Sequence, residues 1–212
     1  MRNQFDAQLE SLNTSLIAMG ALCEDAISAS MRALSGEESA VRRTQDLERE
    51  IDHAERNIET QCMRLLLQQQ PVARDLRAIS SALKMISDME RIGDQAADIA
   101  EITRFVKDDA LKTHIREMAR AASKMVTQSV DSFVKKDLSL ARQVQEDDDT
   151  VDALFDTVKK ELVGQFSSHV AGECLDLLII AKYLERIGDH AVNVAEWVEY
   201  SITGVHAKEE VL

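Results

Sequence analysis

The feature that most restricts the fold of this chain is an internal repeat. Residues 184–196 read LERIGDHAVNVAE, and residues 89–101 read MERIGDQAADIAE. Self-similarity of this kind is the signature of a structural unit that occurs more than once along a chain. The chain is therefore expected to contain two copies of one helical unit.

The repeat extends well beyond this motif. Residues 39–52 align with residues 139–152 at an offset of 100, whereas the two motif copies are offset by 95. The second copy has therefore lost five residues between these segments, and a length difference of this kind is typical of a loop. We predict two domains of one repeat each, residues 1–106 and residues 107–212.

The composition is that of an all-helical protein. The 212 residues include one proline and seven glycines, and aromatic residues make up 4% of the chain. Few residues are therefore available for tight turns or strands, whereas the abundant Ala, Leu, Glu, Gln, Arg and Met favour helices. We predict an all-α fold.

Turn signals divide the chain into six helices. The first two helices end near Gly36 and before Pro71, because glycine permits a left-handed cap and the residue before proline avoids helical geometry. Residues 135–137 take the place of the first turn in the second copy. The remaining four helices are predicted to span residues 72–105, 109–134, 137–166 and 170–203.

The third helix is apolar on two nearly opposite sides. One side carries Leu76, Ile79, Leu83 and Ile86, and the other carries Met85, Met89, Ile92, Ala96 and Ile99. The sixth helix repeats the second of these sides. A helix that is apolar on both sides lies inside an assembly. We therefore predict two tandem antiparallel three-helix bundles, six helices in all, related by a pseudo-twofold and joined through the third and sixth helices.

The charge of the chain excludes several classes of partner. With 38 acidic and 25 basic residues the formal net charge is −13, so nucleic acid and anionic membrane surfaces are expected to be repelled. No stretch approaches the roughly 20 apolar residues that span a bilayer, and the first residues lack a secretory signal. We predict a cytoplasmic protein without direct membrane insertion, whose three cysteines, Cys23, Cys62 and Cys174, are reduced and buried.

Acidic residues form rows on one face of several predicted helices. Glu90 and Asp94 are four residues apart, which places their β carbons about 6 Å apart on the same face. In the second helix Glu48 and Asp52 have the same spacing. The predicted ligand set for metal ions is Glu48, Asp52, Glu90, Asp94 and Asp98 in the first copy, and Asp148, Asp152, Glu185 and Asp189 in the second.

Helix geometry brings these rows together. If the second and third helices run antiparallel about a turn near Gln70, equal rise per residue puts Asp52 level with Met89 and Glu48 level with Gly93. A turn near Ser168 gives the same result in the second copy. Converging carboxylates repel one another unless cations lie among them, and oxygen ligands favour magnesium, calcium, manganese or iron over zinc.

Two features of the acidic rows allow an alternative to bound metal. The second copy has Asn193 in place of Asp98 and His190 in place of Gln95, so its site need not equal the first. Arg91 and Arg186 lie beside the motif carboxylates, and an acidic edge balanced by arginine was the alternative to bound metal.

Each motif also contains a glycine in the middle of a predicted helix. Gly93 and Gly188 each cost roughly 1 kcal/mol of helix propensity relative to alanine. A cost incurred in both copies indicates that another group approaches the backbone there. The sequence leaves open whether that group is a ligand or the neighbouring helix.

These residues carry a resemblance to a known family. The Glu-x-x-x-Asp motif occurs as Glu90 with Asp94 and as Glu185 with Asp189, and residues 69–77 read QQPVARDLR before the third helix. A doubled motif in a doubled helical unit resembles the PhoU family, the phosphate-signalling regulators of bacteria and archaea. The resemblance covers essentially the whole chain, although the second copy lacks the proline and the Asp-Leu-Arg of this junction.

The resemblance implies a function and a set of partners. It implies that the carboxylates of the two Glu-x-x-x-Asp motifs hold divalent or trivalent metal ions, with iron, manganese, magnesium or zinc as candidates. It implies a negative regulator of the phosphate-starvation response that couples a phosphate ABC transporter, through its ATPase subunit, to the sensor histidine kinase of the phosphate regulon. It also implies a homodimer or larger homo-oligomer that acts at the inner face of the membrane through its partners.

Two other functions remained as alternatives. Di-metal carboxylate enzymes use Glu-x-x-His on two helices, and here the pattern occurs once, as Glu50 and His53. Because this pattern occurs on one helix only, the sequence favours a protein that is not an enzyme. A metal-free helical adaptor, whose acidic rows dock basic partners, differs from the favoured function only in the metal.

Overall fold

The computed structural model of the protein describes residues 2–69, 71–107, 112–165 and 171–205. These residues form six α-helices, and a short 3-10 turn, Thr103–Phe105, follows the third of them. The helices are α1 (Arg2–Leu34), α2 (Glu38–Gln69), α3 (Ala73–Ile102), α4 (Thr113–Lys135), α5 (Leu138–Gly164) and α6 (Ala171–Thr203). The predicted all-α class is confirmed.

The first turn of each repeat contains a residue in the left-handed conformation. Gly36 has φ +94° and Lys136 has φ +53°, so the two turns are equivalent at an offset of 100. Asp137 then caps α5, because its side chain accepts a hydrogen bond from the backbone N–H of Leu140 at 3.1 Å. The predicted turn positions are confirmed.

The third helix is shorter than the sequence indicated. It ends at Ile102, and the chain continues through the 3-10 turn to Phe105 rather than as α-helix. Its start, at Ala73, follows Pro71 and the extended residue Val72. The first part of the predicted fourth helix and the last part of the predicted fifth fall partly on residues 108–111 and 166–170, which lie outside the described residues.

Helices α3 and α6 lie at the centre of the molecule. In α3 both predicted sides are buried, with Ile79 and Ile86 on one and Met89, Ile92 and Ile99 on the other. Leu76 was predicted to be buried but is 47% exposed, because it lies in the first turn of α3. Each three-helix bundle therefore contributes one two-sided helix to a shared hydrophobic core.

Polar contacts between α3 and α6 reveal the pseudo-twofold directly. Burial raises the pKa of the Tyr183 hydroxyl on α6, and the neighbouring Asp98 carboxylate on α3 raises it further. At the offset of 95, the equivalent pair is Asn193 and Asp88, and Asn193 Nδ2 donates to Asp88 Oδ1 at 3.1 Å. Equivalent residue pairs therefore lie next to each other twice across the helix pair.

The remaining expectations about the core also hold. Cys23, Cys62 and Cys174 are free thiols and all three are buried. Burial raises the pKa of the Cys23 thiol to about 12, so this side chain is an inert part of the core. Among the described helices, none has a stretch long and apolar enough to cross a bilayer.

Candidate metal centre

Three carboxylates of the first repeat converge between α2 and α3. Glu48 and Asp52 lie one helical turn apart on α2, and Asp94 faces them from α3. Each offers an oxygen atom, and these three oxygen atoms lie within 4.8 Å of one another. We call Glu48, Asp52 and Asp94 the acidic triad. Its members are all half-buried.

The spacing of the acidic triad fits one bound ion. Oxygen ligands lie about 2.0 to 2.1 Å from magnesium and about 2.3 to 2.6 Å from calcium, so two ligands on opposite sides of one ion are about 4 to 5 Å apart. The oxygen atoms of the triad lie within this range of one another. Carboxylates are hard ligands, and neither sulfur nor imidazole belongs to the set, which favours magnesium, manganese or iron over zinc.

The electrostatics of the triad also favour a cation. Burial raises the pKa of Glu48, and the negative charges of Asp52 and Asp94 raise it further. Burial likewise raises the pKa of Asp94, with Asp52 and Asp98 adding to the effect. Like charges at this distance disfavour ionisation, and a bound cation reverses that balance.

Glu90 lies at the edge of this cluster. Burial raises its pKa, followed by the charge of Asp94, while the Glu55 and Asp52 charges contribute less. The predicted pair of Glu90 and Asp94 is therefore electrostatically coupled, as the one-turn spacing indicated. Glu90 belongs to the same acidic surface as the acidic triad but is not one of the three residues that meet within 4.8 Å.

Arginine balances part of this negative charge. Arg91 Nη1 lies 3.0 Å from Asp94 Oδ2, and Arg91 Nε lies 3.4 Å from Glu90 Oε2. Arg56 lies 3.7 Å from Asp52 and its side chain is 75% exposed. Ion pairs of this kind near the surface contribute little energy. Arg49 also opposes the rise that burial causes in the pKa of Glu48, but it pairs with Asp46, so the arginine-balanced alternative accounts for only part of the site.

A cleft of about 440 Å³ opens beside the acidic triad. Glu48 and Asp94 reach its wall, together with Asp98 and Glu101. Gln45 Nε2, on the same wall, donates to Glu101 Oε1 at 3.2 Å. Asp98, the fifth predicted ligand of the first copy, lies on the wall of this cleft.

The second repeat places a carboxylate oxygen where it has no partner. Asp148 Oδ1 on α5 is buried and forms no hydrogen bond. Burial raises the pKa of Asp148 to about 6, and the charges of Asp152, Asp189 and Glu185 raise it as well. A buried acceptor left without a donor is costly, and a metal ion would satisfy this oxygen. The predicted second-copy residues therefore form one electrostatic cluster that fits a cation.

This cluster predicts an unusual pH dependence in metal-free buffer. Because the pKa of Asp148 is raised from 3.8 to about 6, the folded state holds this proton more tightly than the unfolded state does. The resulting stability is present below pH 3.8 and is lost as the pH rises through about 6. Asp148→Asn should therefore raise the free energy of unfolding at neutral pH by about 1 kcal/mol, a value discounted for solvent screening.

Urea denaturation at several pH values in EDTA checks this expectation. The Asp148→Asn protein should lose less stability than the wild type between acidic and neutral pH. Asp25→Asn, at an exposed position on α1, removes the same charge and should leave the slope unchanged. Parallel pH profiles for the wild type and Asp148→Asn would show that this carboxyl is not destabilised when ionised.

The two clusters differ in detail. Within the described part of the chain, only the acidic triad brings three potential ligand atoms within 4.8 Å. In the second repeat Lys182 forms an ion pair with Glu185, and this lysine, rather than the expected Arg186, balances the motif. His190 lies near the second cluster as expected, because its charge opposes the rise that burial causes in the pKa of Asp189. Its Nδ1 also lies 2.8 Å from Asp88 Oδ1 on α3, so the imidazole contacts α3 as well.

The two motif glycines admit different groups. A β carbon on Gly93 would lie 2.8 Å from Ile51 Cδ1, so α2 packs directly on the α3 backbone there. A β carbon on Gly188 would lie 3.2 Å from Asp148 Oδ1 and 3.5 Å from Val151 Cγ1. In the first repeat the glycine permits close helix packing, and in the second it makes room for a carboxylate.

The predicted site residues did not include Asp88 or Glu55. Asp88 accepts hydrogen bonds from α6, but it belongs to no acidic row and its partner lies across the α3–α6 interface. Glu55 adds charge beside Glu90 and accepts a hydrogen bond from Ser87 at 3.4 Å. The antiparallel alignment of α2 and α3 could have identified Glu55, since it is one turn beyond Asp52.

Comparison with known proteins agrees with this architecture. A family model described as the PhoU domain matches the chain twice, at residues 16–103 and 115–198. The chain belongs to the PhoU family. A curated relative from Pseudomonas aeruginosa, described as a phosphate-specific transport system accessory protein PhoU homolog, is 34% identical over 97% of this chain and 88% of its own length. A protein of the same description from Clostridium acetobutylicum is 34% identical over 96% of both chains.

Solved structures of PhoU proteins share the fold. The crystal structure of PhoU from Pseudomonas aeruginosa superimposes with a TM-score of 0.89 at 33% identity, covering 95% of this chain and 100% of that one. The phosphate transport system regulatory protein PhoU from Streptococcus pneumoniae gives a TM-score of 0.87 at 26% identity, covering 96% and 99%. The paired three-helix bundles therefore occur in other PhoU structures.

Proposed function

We propose that this PhoU protein is a negative regulator of the phosphate-starvation response. In this proposal it couples a phosphate ABC transporter, through the ATPase subunit, to the sensor histidine kinase of the phosphate regulon. Its full-length similarity to proteins described as accessories of phosphate-specific transport is the observation that carries the proposal. The similarity spans both repeats, so the proposal applies to the whole chain.

Metal binding is the second part of the proposal. Glu48, Asp52 and Asp94 would hold one ion, and Asp148 with its acidic neighbours would hold another. A bound ion would supply positive charge to these carboxylates, which would then link α2 to α3, or α5 to α6. The residues themselves fix the distance between the helices, because Ile51 packs against Gly93 beside the triad. Iron, manganese and magnesium are the candidate ions.

A regulator of this kind acts through protein contacts at the inner face of the membrane. The ends of the helices that meet at the α2–α3 and α5–α6 connections expose apolar side chains that would suit such contacts, including Leu67 and Val72 at one connection and Val163 and Leu175 at the other. Exposed apolar residues grouped together are typical of interaction surfaces. We include a homodimer or larger homo-oligomer in the proposal.

A phosphate-starvation reporter in the organism that encodes this chain tests the regulatory proposal. Deletion of the gene should leave the reporter active in phosphate-rich medium, and the wild-type gene should restore repression. Removal of the sensor kinase from the deletion strain should silence the reporter again, because the signal is proposed to pass through the kinase. A reporter that stays repressed after the deletion would contradict the proposal.

The same strain separates metal-dependent regulation from a metal-free adaptor. A variant with Glu48, Asp52 and Asp94 all changed to alanine should fail to restore repression. The matched control changes Asp6, Glu10 and Asp25 to alanine, which removes the same charge from exposed positions on α1. If both variants restore repression equally, the acidic triad has no regulatory role and the helical adaptor becomes the better account.

The structure gives no support to the di-metal enzyme alternative. Glu50, the first residue of the Glu-x-x-His pattern, pairs with Arg43 at 2.9 Å on the outer face of α2. Glu50 and His53 are both exposed, whereas the acidic triad is half-buried against α3. The pattern therefore does not contribute to the candidate metal centre. Regulation without catalysis is the function we propose.

A further inference from the structure

A second cleft, between α1 and α4, has the opposite electrostatic character from the acidic triad. Its volume is about 460 Å³, and its polar wall consists of three arginines and three serines. We call it the arginine pocket. These residues are Arg32, Arg116, Arg120, Ser28, Ser35 and Ser123. No carboxylate is among the described residues that line it, although the whole chain has a net charge of −13.

Weak contacts hold the arginine side chains in this arrangement. Arg32 Nη1 donates to Ser28 Oγ at 3.1 Å, and Arg32 Nε lies 3.6 Å from Glu37 across an exposed ion pair. Arg116 Nη2 reaches Ser35 Oγ at 3.4 Å, which is long for a hydrogen bond. Arg120 forms no hydrogen bond or ion pair with the described residues, and the contacts of Arg32 use only part of its five donors. A ligand with several charged oxygens could engage the donors of these two guanidinium groups.

The arginines are not a consequence of the repeat. At an offset of 99, which aligns the buried residues of α1 with those of α4, Arg116 corresponds to Ile17, Arg120 to Ala21 and Arg32 to Asp131. The equivalent side of the α1–α4 contact therefore forms without arginine, and Gly20 packs against Val130 there. Helix packing does not require these three charges, so their convergence needs another explanation.

The pocket floor is apolar. Ile27 and Ala119, which are 1% and 2% exposed, form it together with Met31. The volume falls within the range of about 300 to 1,000 Å³ that is typical of small-molecule sites and greatly exceeds that of one phosphate ion. A cavity with a guanidinium wall and an apolar floor matches a ligand that carries both anionic oxygens and an apolar part.

We propose that the arginine pocket binds a phosphorylated organic small molecule, with a nucleotide as the representative chemistry. Phosphoryl oxygens would accept hydrogen bonds from Arg32 and Arg120, the positive charge of Arg116 would lie beside them, and the serine hydroxyls would donate further hydrogen bonds. The organic part would lie on Ile27 and Met31. This binding does not require the metal centre, which lies between α2 and α3.

Isothermal titration calorimetry in EDTA tests the proposal, with inorganic phosphate, AMP, ATP and sulfate as probes at constant ionic strength. EDTA removes metal ions that would otherwise bridge a nucleotide to the acidic clusters. Affinity should increase from inorganic phosphate to AMP to ATP, and sulfate should bind no better than phosphate. Arg116→Gln with Arg120→Gln should weaken ATP binding by about tenfold or more, since each lost charged hydrogen bond is worth about 1.5 kcal/mol or more.

A control variant removes the same charge elsewhere. Arg43→Gln with Arg64→Gln, both at exposed positions on α2, should bind ATP as the wild type does. Circular dichroism melting of both double variants verifies that each is folded. No saturable binding of AMP or ATP, equal affinity for sulfate and ATP, or equal losses in the two double variants would overturn the proposal. The reporter experiment does not use this pocket, so the two proposals can fail independently.

Discussion

Addition of manganese to the metal-free protein is expected to raise its melting temperature by about 5 to 10 °C. An ion that binds only the folded state at a hundred times its dissociation constant adds about 2.7 kcal/mol of stability. For a chain of this size, each kcal/mol moves the melting temperature by roughly 2 to 4 °C. The effect arises because the cation relieves the repulsion among Glu48, Asp52 and Asp94.

Two variants make this measurement specific to the acidic triad. The variant with Glu48, Asp52 and Asp94 changed to alanine should be more stable than the wild type in EDTA and should lose the manganese response of the first site. The control with Asp6, Glu10 and Asp25 changed to alanine should have the same melting temperature in EDTA and the same manganese-induced shift as the wild type. Asp148→Asn should remove the remaining response if the second cluster binds its own ion.

The opposite order of stabilities would contradict the account. If the metal-free triad variant melts below the wild type, the carboxylates stabilise the fold through their ion pairs with Arg91 and Arg56. If magnesium, manganese and anaerobic ferrous iron all leave the melting temperature of the wild type unchanged, the acidic rows are not metal sites. Differential scanning calorimetry provides all of these values.

Gly93→Ala is expected to destabilise the protein by about 1 to 2 kcal/mol, although alanine is the better helix former. The added β carbon would lie 2.8 Å from Ile51 Cδ1 and 3.3 Å from Ile51 Cγ2, and Ile51 is fully buried. Overpacking of a core typically costs about 1 to 3 kcal/mol, which exceeds the gain of about 1 kcal/mol in helix propensity. Gly172→Ala, where the β carbon meets no atom within 4 Å, is the matched control.

A compensating change identifies the cause. Ile51→Val removes the atom that would clash, so the Gly93→Ala/Ile51→Val protein should be more stable than the Gly93→Ala protein. The second repeat already pairs a valine, Val151, with Gly188. Because Asp94 and Asp52 directly follow Gly93 and Ile51, the single variant should also bind manganese more weakly. Urea denaturation measures the stability, and calorimetric titration measures manganese binding. If the Gly93→Ala protein were as stable as the wild type, α2 would move away from α3 at no cost in free energy, contrary to this expectation.

The position of the acidic triad could be predicted because it depends only on helix rise and on one turn. Rise per residue and one turn near Pro71 set the relative height of α2 and α3, so Glu48 and Asp52 had to lie near Asp94. The internal repeat provided an independent second case with Asp148 and Gly188. Turns at Gly36 and Lys136 followed from local backbone preferences in the same way.

Contacts between the two bundles could not be predicted on this basis. They depend on how each helix is rotated about its axis, which the apolar pattern of a two-sided helix leaves open. The contact of His190 with Asp88 across the two bundles was therefore not foreseen. The arginine pocket arises from packing between α1 and α4, two helices separated in sequence by α2 and α3.

Elemental analysis of protein purified without a metal-affinity tag tests the central claim most directly. The preparation should contain about one equivalent or more of iron, manganese or magnesium per chain. The parallel preparation with Glu48, Asp52 and Asp94 changed to alanine should have lost the ion held by the triad, and the control with Asp6, Glu10 and Asp25 changed to alanine should retain it. Equal metal content in all three preparations, or none in the wild type, would contradict the assignment of the acidic triad as a metal site.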